Sequence, residues 1–164
     1  MKRLLAFAAS IVFLAVLALP VSAQEEPLPC TPVAHGQNAA GCTFTAKNVS
    51  ETFPDVVPCT DIPAVITTTN ANEIFHITVL ANGTFWATFT EEGQFTAVPA
   101  VGPTLSGHFA VWDGENLNLK NATMTATFNV TGTASDGSRF SAHTIMHLNF
   151  DATGQPHMTF HFVC

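Results

Sequence analysis

Phe75-His76-Ile77-Thr78-Val79-Leu80-Ala81-Asn82-Gly83-Thr84-Phe85-Trp86-Ala87-Thr88-Phe89 is two alternating runs joined at a glycine. Alternation of apolar and polar side chains is the period of a strand with one buried face. Read as a three-residue loop, Ala81-Asn82-Gly83 gives glycine the positive-φ position that closes such a bend. Val79 then faces Phe85, Ile77 faces Ala87 and Phe75 faces Phe89, so apolar meets apolar. A two-residue Asn82-Gly83 turn would set Val79 against Trp86 and mix the faces.

The same device recurs at Glu91-Glu92-Gly93, Ser135-Asp136-Gly137 and Ala152-Thr153-Gly154. It predicts Phe89 opposite Phe95, Val130 opposite Ala142, Phe128 opposite Thr144 and Ala126 opposite Met146. It also predicts Leu148 opposite Met158 and Met146 opposite Phe160. With the runs near Ile62–Thr69 and His108–Trp112, eight strands are expected. They fall at 60–69, 73–80, 84–90, 94–98, 106–112, 121–134, 138–150 and 155–163. Leu117 and Leu119 are out of phase with Met124, Ala126 and Phe128, which predicts a bulge near Lys120-Asn121-Ala122.

Sequential hairpins with short connections predict an all-β fold. The first choice is an antiparallel up-and-down β-barrel of about eight strands, with a two-sheet β-sandwich as the alternative. One face carries Phe75, Phe85, Phe89, Phe95, Phe109, Phe128, Phe160 and their apolar neighbours, with no charge; the other is threonine, asparagine and histidine. An eight-stranded barrel is just wide enough for side chains to fill, and this many phenylalanines predict a filled interior.

Residues 1–23 read as a cleaved secretory signal. Lys2 and Arg3 precede an apolar core from Leu4 to Leu19, and Val21-Ser22-Ala23 is a small-residue cleavage site. Cleavage removes both of those bases. Lys47, Lys120 and Arg139 are then left against all 12 acidic residues of a chain whose formal charge is already −7. Such a balance argues against nucleic acid or an anionic membrane surface as partner. Residues 24–58 are proline-rich and read as a loop-like arm with a short strand at Thr43–Asn48; 59–164 is the barrel domain.

An even cysteine count in an exported chain suggests two disulfides. If the first and last strands of the meander meet antiparallel, Cys59 at the start of one lies beside Cys164 at the end of the other. The expected pairs are Cys59–Cys164 and, by elimination, Cys30–Cys42.

His143, His147, His157 and His161 share the polar phase of the last two strands, and His76 and His108 join it on others. Three converging imidazoles would bind zinc or copper; the plainer reading is that histidine suits a solvated strand face. Histidine also titrates near neutral pH, which offers a pH response. Motifs of the G-x-S-x-G, H-E-x-x-H and P-loop types are absent. The acids Glu91, Glu92, Asp113, Glu115, Asp136 and Asp151 read as loop and strand-end residues, which argues against a carboxylate pair in a cleft. Asn48, Asn82, Asn121 and Asn129 each begin an N-x-S/T sequon. Trp86 and Trp112 fall on the polar phase, where they would anchor a partner or pack under the arm. An outer-membrane barrel is a further alternative; absent tyrosine, paired cysteines and strands below the usual spanning length speak against it.

Phe75-His76-Ile77-Thr78-Val79-Leu80-Ala81-Asn82-Gly83 and His157-Met158-Thr159-Phe160-His161-Phe162-Val163-Cys164 resemble the F-H-x-T-x-x-x-N-G and cysteine-terminated strands of small secreted bacterial β-proteins. That resemblance implies export and a β fold, with no activity to carry over. The expectation is a secreted, non-catalytic binding or surface module for a small molecule or protein. The alternatives are a metal-binding or pH-responsive protein and an enzyme with a site at the barrel mouth.

Overall fold

The computed structural model describes residues 30–36, 38–118, 122–151 and 153–164. The signal at 1–23, Lys120, Asn121 and Ala152 lie outside the described residues. Eight strands form one antiparallel sheet in sequential order. They are β1 (Val33–Ala34), β2 (Ala39–Val56), β3 (Pro63–Leu80), β4 (Phe85–Pro99), β5 (Leu105–Leu117), β6 (Ala122–Ala134), β7 (Arg139–Phe150) and β8 (Pro156–Val163). No helix occurs among the described residues.

Three of the four glycine-closed bends are hairpins. Gly83, Gly137 and Gly154 have φ of 82°, 88° and 79°. Each donates its N–H back across the bend, Gly83 to the Leu80 carbonyl at 3.0 Å and Gly137 to the Ala134 carbonyl at 2.9 Å. The register follows the expectation: Val79 faces Phe85, Val130 faces Ala142 and Met146 faces Phe160.

Glu91-Glu92-Gly93 is not a bend. It lies inside β4, which runs unbroken from Phe85 to Pro99, and Phe95 pairs with Thr68 and Gly107 rather than with Phe89. A three-residue hairpin and an uninterrupted strand preserve the same parity, so facing positions could not separate them. Gly93 has another task. A Cβ there would come within 2.9 Å of the Ala71 Cα and 3.0 Å of the Phe109 ring. Ala71 belongs to a bulge in β3, where the register slips between Thr69 and Asn72 and Asn70 takes a φ of 52°. Asparagine tolerates that left-handed conformation better than most residues. The bulge moves the buried phase from Ala64, Ile66 and Thr68 to Ala71, Phe75 and Ile77. The two strands expected at 60–69 and 73–80 are therefore one.

The stretch expected to be a loop-like arm contains β2, all 18 residues of it. Asn48, at a φ of 57°, breaks its alternation where the register slips past Lys47. Cys42, Phe44 and Ala46 share a face with Val49 and Phe53 only because of that break. The β5–β6 ladder holds one register from Leu105 to Leu117, so the described residues carry no bulge at Ala122. Strands of 12 to 18 residues from β2 to β7 also remove strand length as an argument against a membrane barrel.

The sheet is strongly curled. Flat, β2 and β8 would lie roughly 29 Å apart at the usual spacing. Instead Cys59, in the β2–β3 connector, is bonded to Cys164 at a Cα–Cα distance of 5.8 Å. Phe95 on β4 meets Phe140 on β7 edge-on at 5.9 Å. Gly107 and Gly132 are opposite each other on the inner face, where a Cβ on Gly107 would fall 2.0 Å from the Thr131 carbonyl oxygen. The absence of side chains there lets β5 and β6 bend sharply.

Six antiparallel steps separate β2 from β8, so the two run parallel. The expected antiparallel meeting of first and last strands does not occur, because β2 adds a strand ahead of those predicted. No ladder joins β8 to β1 or β2, and the sheet is not closed. The end carrying Cys59–Cys164 is called the upper end below, and the opposite end the lower. Cys30–Cys42 ties the chain at the lower end of β2.

Candidate functional site

Among the polar-phase histidines, the structure places His147 opposite Thr159 and His143 opposite Val163. Each is engaged locally. His147 Nδ1 shares a hydrogen bond of 2.8 Å with the Thr125 hydroxyl, His143 Nδ1 bonds Asn129 Oδ1, and His157 Nε2 lies 3.3 Å from Asp151 Oδ2. His161 stands opposite Ile145, His76 bonds the Thr43 hydroxyl at 2.8 Å, and His108 lies between Gln94 and Thr131. Among the described residues no three His, Cys, Asp or Glu side chains are grouped to hold a metal ion.

A second set of titratable groups lies on the opposite face. The inner face carries carboxylates where none was expected. Asp113 and Glu115 keep the odd phase of Phe109 and Val111 on β5, which continues to Leu117 rather than ending at Trp112. Glu91 keeps the odd phase of Phe89 and Phe95 on β4. The β3 bulge brings Glu73 into phase with Phe75, directly opposite Glu91. Glu51 on β2 shares this face beside Thr68. The sequence signal was present in Phe109-Ala110-Val111-Trp112-Asp113-Gly114-Glu115-Asn116-Leu117, an unbroken alternation. Reading Asp113-Gly114 as a turn concealed it.

Burial governs the acidity of this band. It pushes Glu91 up to about 7, helped by the neighbouring charges of Glu73 and Glu51. It pushes Glu115 up to about 7, helped by Asp113. Asp113 rises to about 6 through burial, against a hydrogen bond from the Gly114 backbone N–H. Glu73 is raised as well, by burial and by Glu51. Among the described residues no ion pair joins any of these acids to a lysine or arginine, and His157 pairs with Asp151. Asp113 is only 4% exposed, and its Oδ1 has no hydrogen-bond partner.

The surroundings are apolar. Asp113 sits in a cross-strand row with Phe75, Phe89, Ala126 and Met146, and Glu115 in the next with Ile77, Ala87, Met124 and Leu148. At the open seam Phe44, Met158 and Phe160 remain exposed. Phe160 was expected inside a filled barrel. It keeps the inner phase and stacks on Phe162 at 6.3 Å, but β8 is an edge and nothing described covers it. This half of the face offers carboxylates with no described lysine or arginine paired to them, flanked by aromatic and thioether surface.

No helix among the described residues is long and apolar enough to cross a membrane. The chain matches no family model, no curated protein and no solved structure.

Proposed function

We propose that the protein is an exported, non-catalytic binding module that takes a small organic cation with an apolar body on the lower inner face. In this reading residues 1–23 are removed as a signal. The curled sheet then acts as an up-and-down barrel left open along the β2–β8 seam. The observation that carries the proposal is Asp113 Oδ1, buried and without a partner inside a band of carboxylates that no described lysine or arginine neutralises. A buried, unpaired carboxylate is costly unless a counter-charge arrives. Two disulfides are consistent with an extracellular setting.

Calorimetric titration with phenethylammonium, and with neutral 2-phenylethanol as the uncharged control, tests this. The cation is expected to saturate at pH 7.5, to bind more weakly at pH 5 and to fail with Asp113→Asn combined with Glu91→Gln. Equal binding of cation and alcohol, or binding unchanged in that double variant, would sink it.

One observation favours a second reading. Glu73 and Glu91 are direct cross-strand partners, and Glu91 is pushed up to about 7. Two carboxyls paired in one site can divide the work of acid and base. Turnover of a chromogenic aryl glycoside that disappears with Glu91→Gln would support an enzyme.

A further inference from the structure

A cleft of about 470 Å³ crosses β3 to β6 on the outer face. It lies on the side of the sheet away from the carboxylate band and is independent of the reading above. Two cross-strand rows build it. One runs Asn72, Glu92, Ala110, Asn129, and the other Gln94, His108, Thr131. Asn70 enters from the β3 bulge, which exists because asparagine accepts positive φ there. Ala110 is the short residue in the middle of its row, and its methyl leaves the floor open between Glu92 and Asn129. The next row toward the lower end is a ridge of Ile74 and Trp112, 47% and 41% exposed.

We propose that this cleft binds a neutral carbohydrate. Asn70, Asn72, Gln94 and Asn129 each carry a donor and an acceptor in one planar group, as each sugar hydroxyl is both donor and acceptor. His143, on the neighbouring strand, donates from Nδ1 to Asn129 Oδ1, which fixes that amide and leaves its Nδ2 donors for the cleft. Among the described residues no lysine or arginine lines the cleft, which disfavours a phosphorylated or sulfated ligand. Glu92 is its one carboxylate among the described residues, too few to favour a cation. The Trp112 ring leans over Gly114, where a Cβ would come within 2.7 Å of it, and so turns away from the cleft toward the lower end. Four amides around a floor left open at Ala110 suit a ring with hydroxyls at its edge. The volume falls within the range of small-ligand sites.

The test uses the full mature chain made in a host that does not N-glycosylate, because Asn129-Val130-Thr131 is a sequon. Trp86→Phe leaves Trp112 as the single indole of a chain with two. Its emission, with the heat of binding as the second and deciding readout, is followed during titration with maltose, cellobiose and N,N′-diacetylchitobiose up to about 10 mM, the weak end of specific affinity. At least one disaccharide is expected to give a saturating change. Gln94→Ala and His108→Ala are each expected to weaken it about tenfold, the size of one lost hydrogen bond. Val98→Ser, on the same face outside the cleft, is expected to leave it unchanged. Unfolding midpoints close to the parent's confirm that both alanine variants are folded. Saturation by none of the three sugars overturns the proposal, as does saturation that neither alanine variant weakens.

Discussion

The inner face of this sheet is built in two ways along its length. Toward the upper end, Ile66, Phe95, Ala97, Phe109 and Val130 are all buried together. A void lined by Ile66, Thr68, Phe95, Phe109, Phe128 and Val130 is about 10 Å³, room for roughly one water. Toward the lower end the same face holds Glu73, Glu91, Asp113 and Glu115 among Phe75, Phe89 and Met146, and Phe44 and Phe160 remain exposed. Hydrophobic burial holds the upper half, while the lower half tolerates buried charge that lowers stability. Under the proposed function that division is one of scaffold and site, since function commonly sits where local stability is given up.

The two disulfides mark the two halves and should differ most. Cys59–Cys164 spans 105 residues and Cys30–Cys42 spans 12. Constraint of the unfolded chain predicts a loss of about 4–5 kcal/mol for Cys59→Ser with Cys164→Ser, and about 3 kcal/mol for Cys30→Ser with Cys42→Ser. Urea unfolding of both double variants measures the difference. A smaller loss for the longer bridge would show that the upper seam holds without its covalent tie.

Packing should divide the halves next. Phe95→Ala removes a ring that is 6% exposed and set edge-on against Phe140, and should cost about 3–5 kcal/mol. Phe44→Ala removes a ring that is 36% exposed at the open seam, and should cost about 1 kcal/mol or less. Similar losses for the two would mean that the lower half is as tightly built as the upper.

The division also explains what could be read from the chain. Gly83, Gly137 and Gly154 were legible because a hairpin is local: one glycine with positive φ and two alternating runs suffice. Gly93 was misread because its reason is non-local. It is a glycine on account of Ala71, a residue 22 positions earlier that the β3 bulge pushes against it. Asn48 and Asn70 hid the length of β2 and β3 in the same way, since a bulge changes phase and a change of phase looks like the end of a strand. The carboxylate band was missed for a different reason. Acids are so seldom placed on an apolar face that Asp113-Gly114 and Glu91-Glu92 read more naturally as turns. The histidines lay on the legible face, but alternation alone does not show that Thr125, Asn129 and Asp151 are the groups they bond.

The finest separation of the halves is by pH. Glu91 and Glu115 rise from 4.5 to about 7, and Asp113 from 3.8 to about 6. Between about pH 4.5 and 7 the folded chain therefore holds protons that the unfolded chain has released. Stability should rise as pH falls through this window, and the full penalty should be present above it. Asp136 and Asp151 are shifted the other way, so the stability they contribute is lost only below the ordinary carboxylate range, outside the window. Glu91→Gln should recover about 1 kcal/mol at pH 7.5, a figure kept small because the side chain is only partly buried. The same variant should flatten the rise toward pH 5, whereas Phe95→Ala should lower the whole curve and keep its slope. Thermal unfolding of the three proteins at pH 5 and pH 7.5 separates these outcomes. A parent that is less stable at pH 5 than at pH 7.5 would mean that water reaches the carboxylates freely, and the lower half would then be open surface with no buried charge to be neutralised.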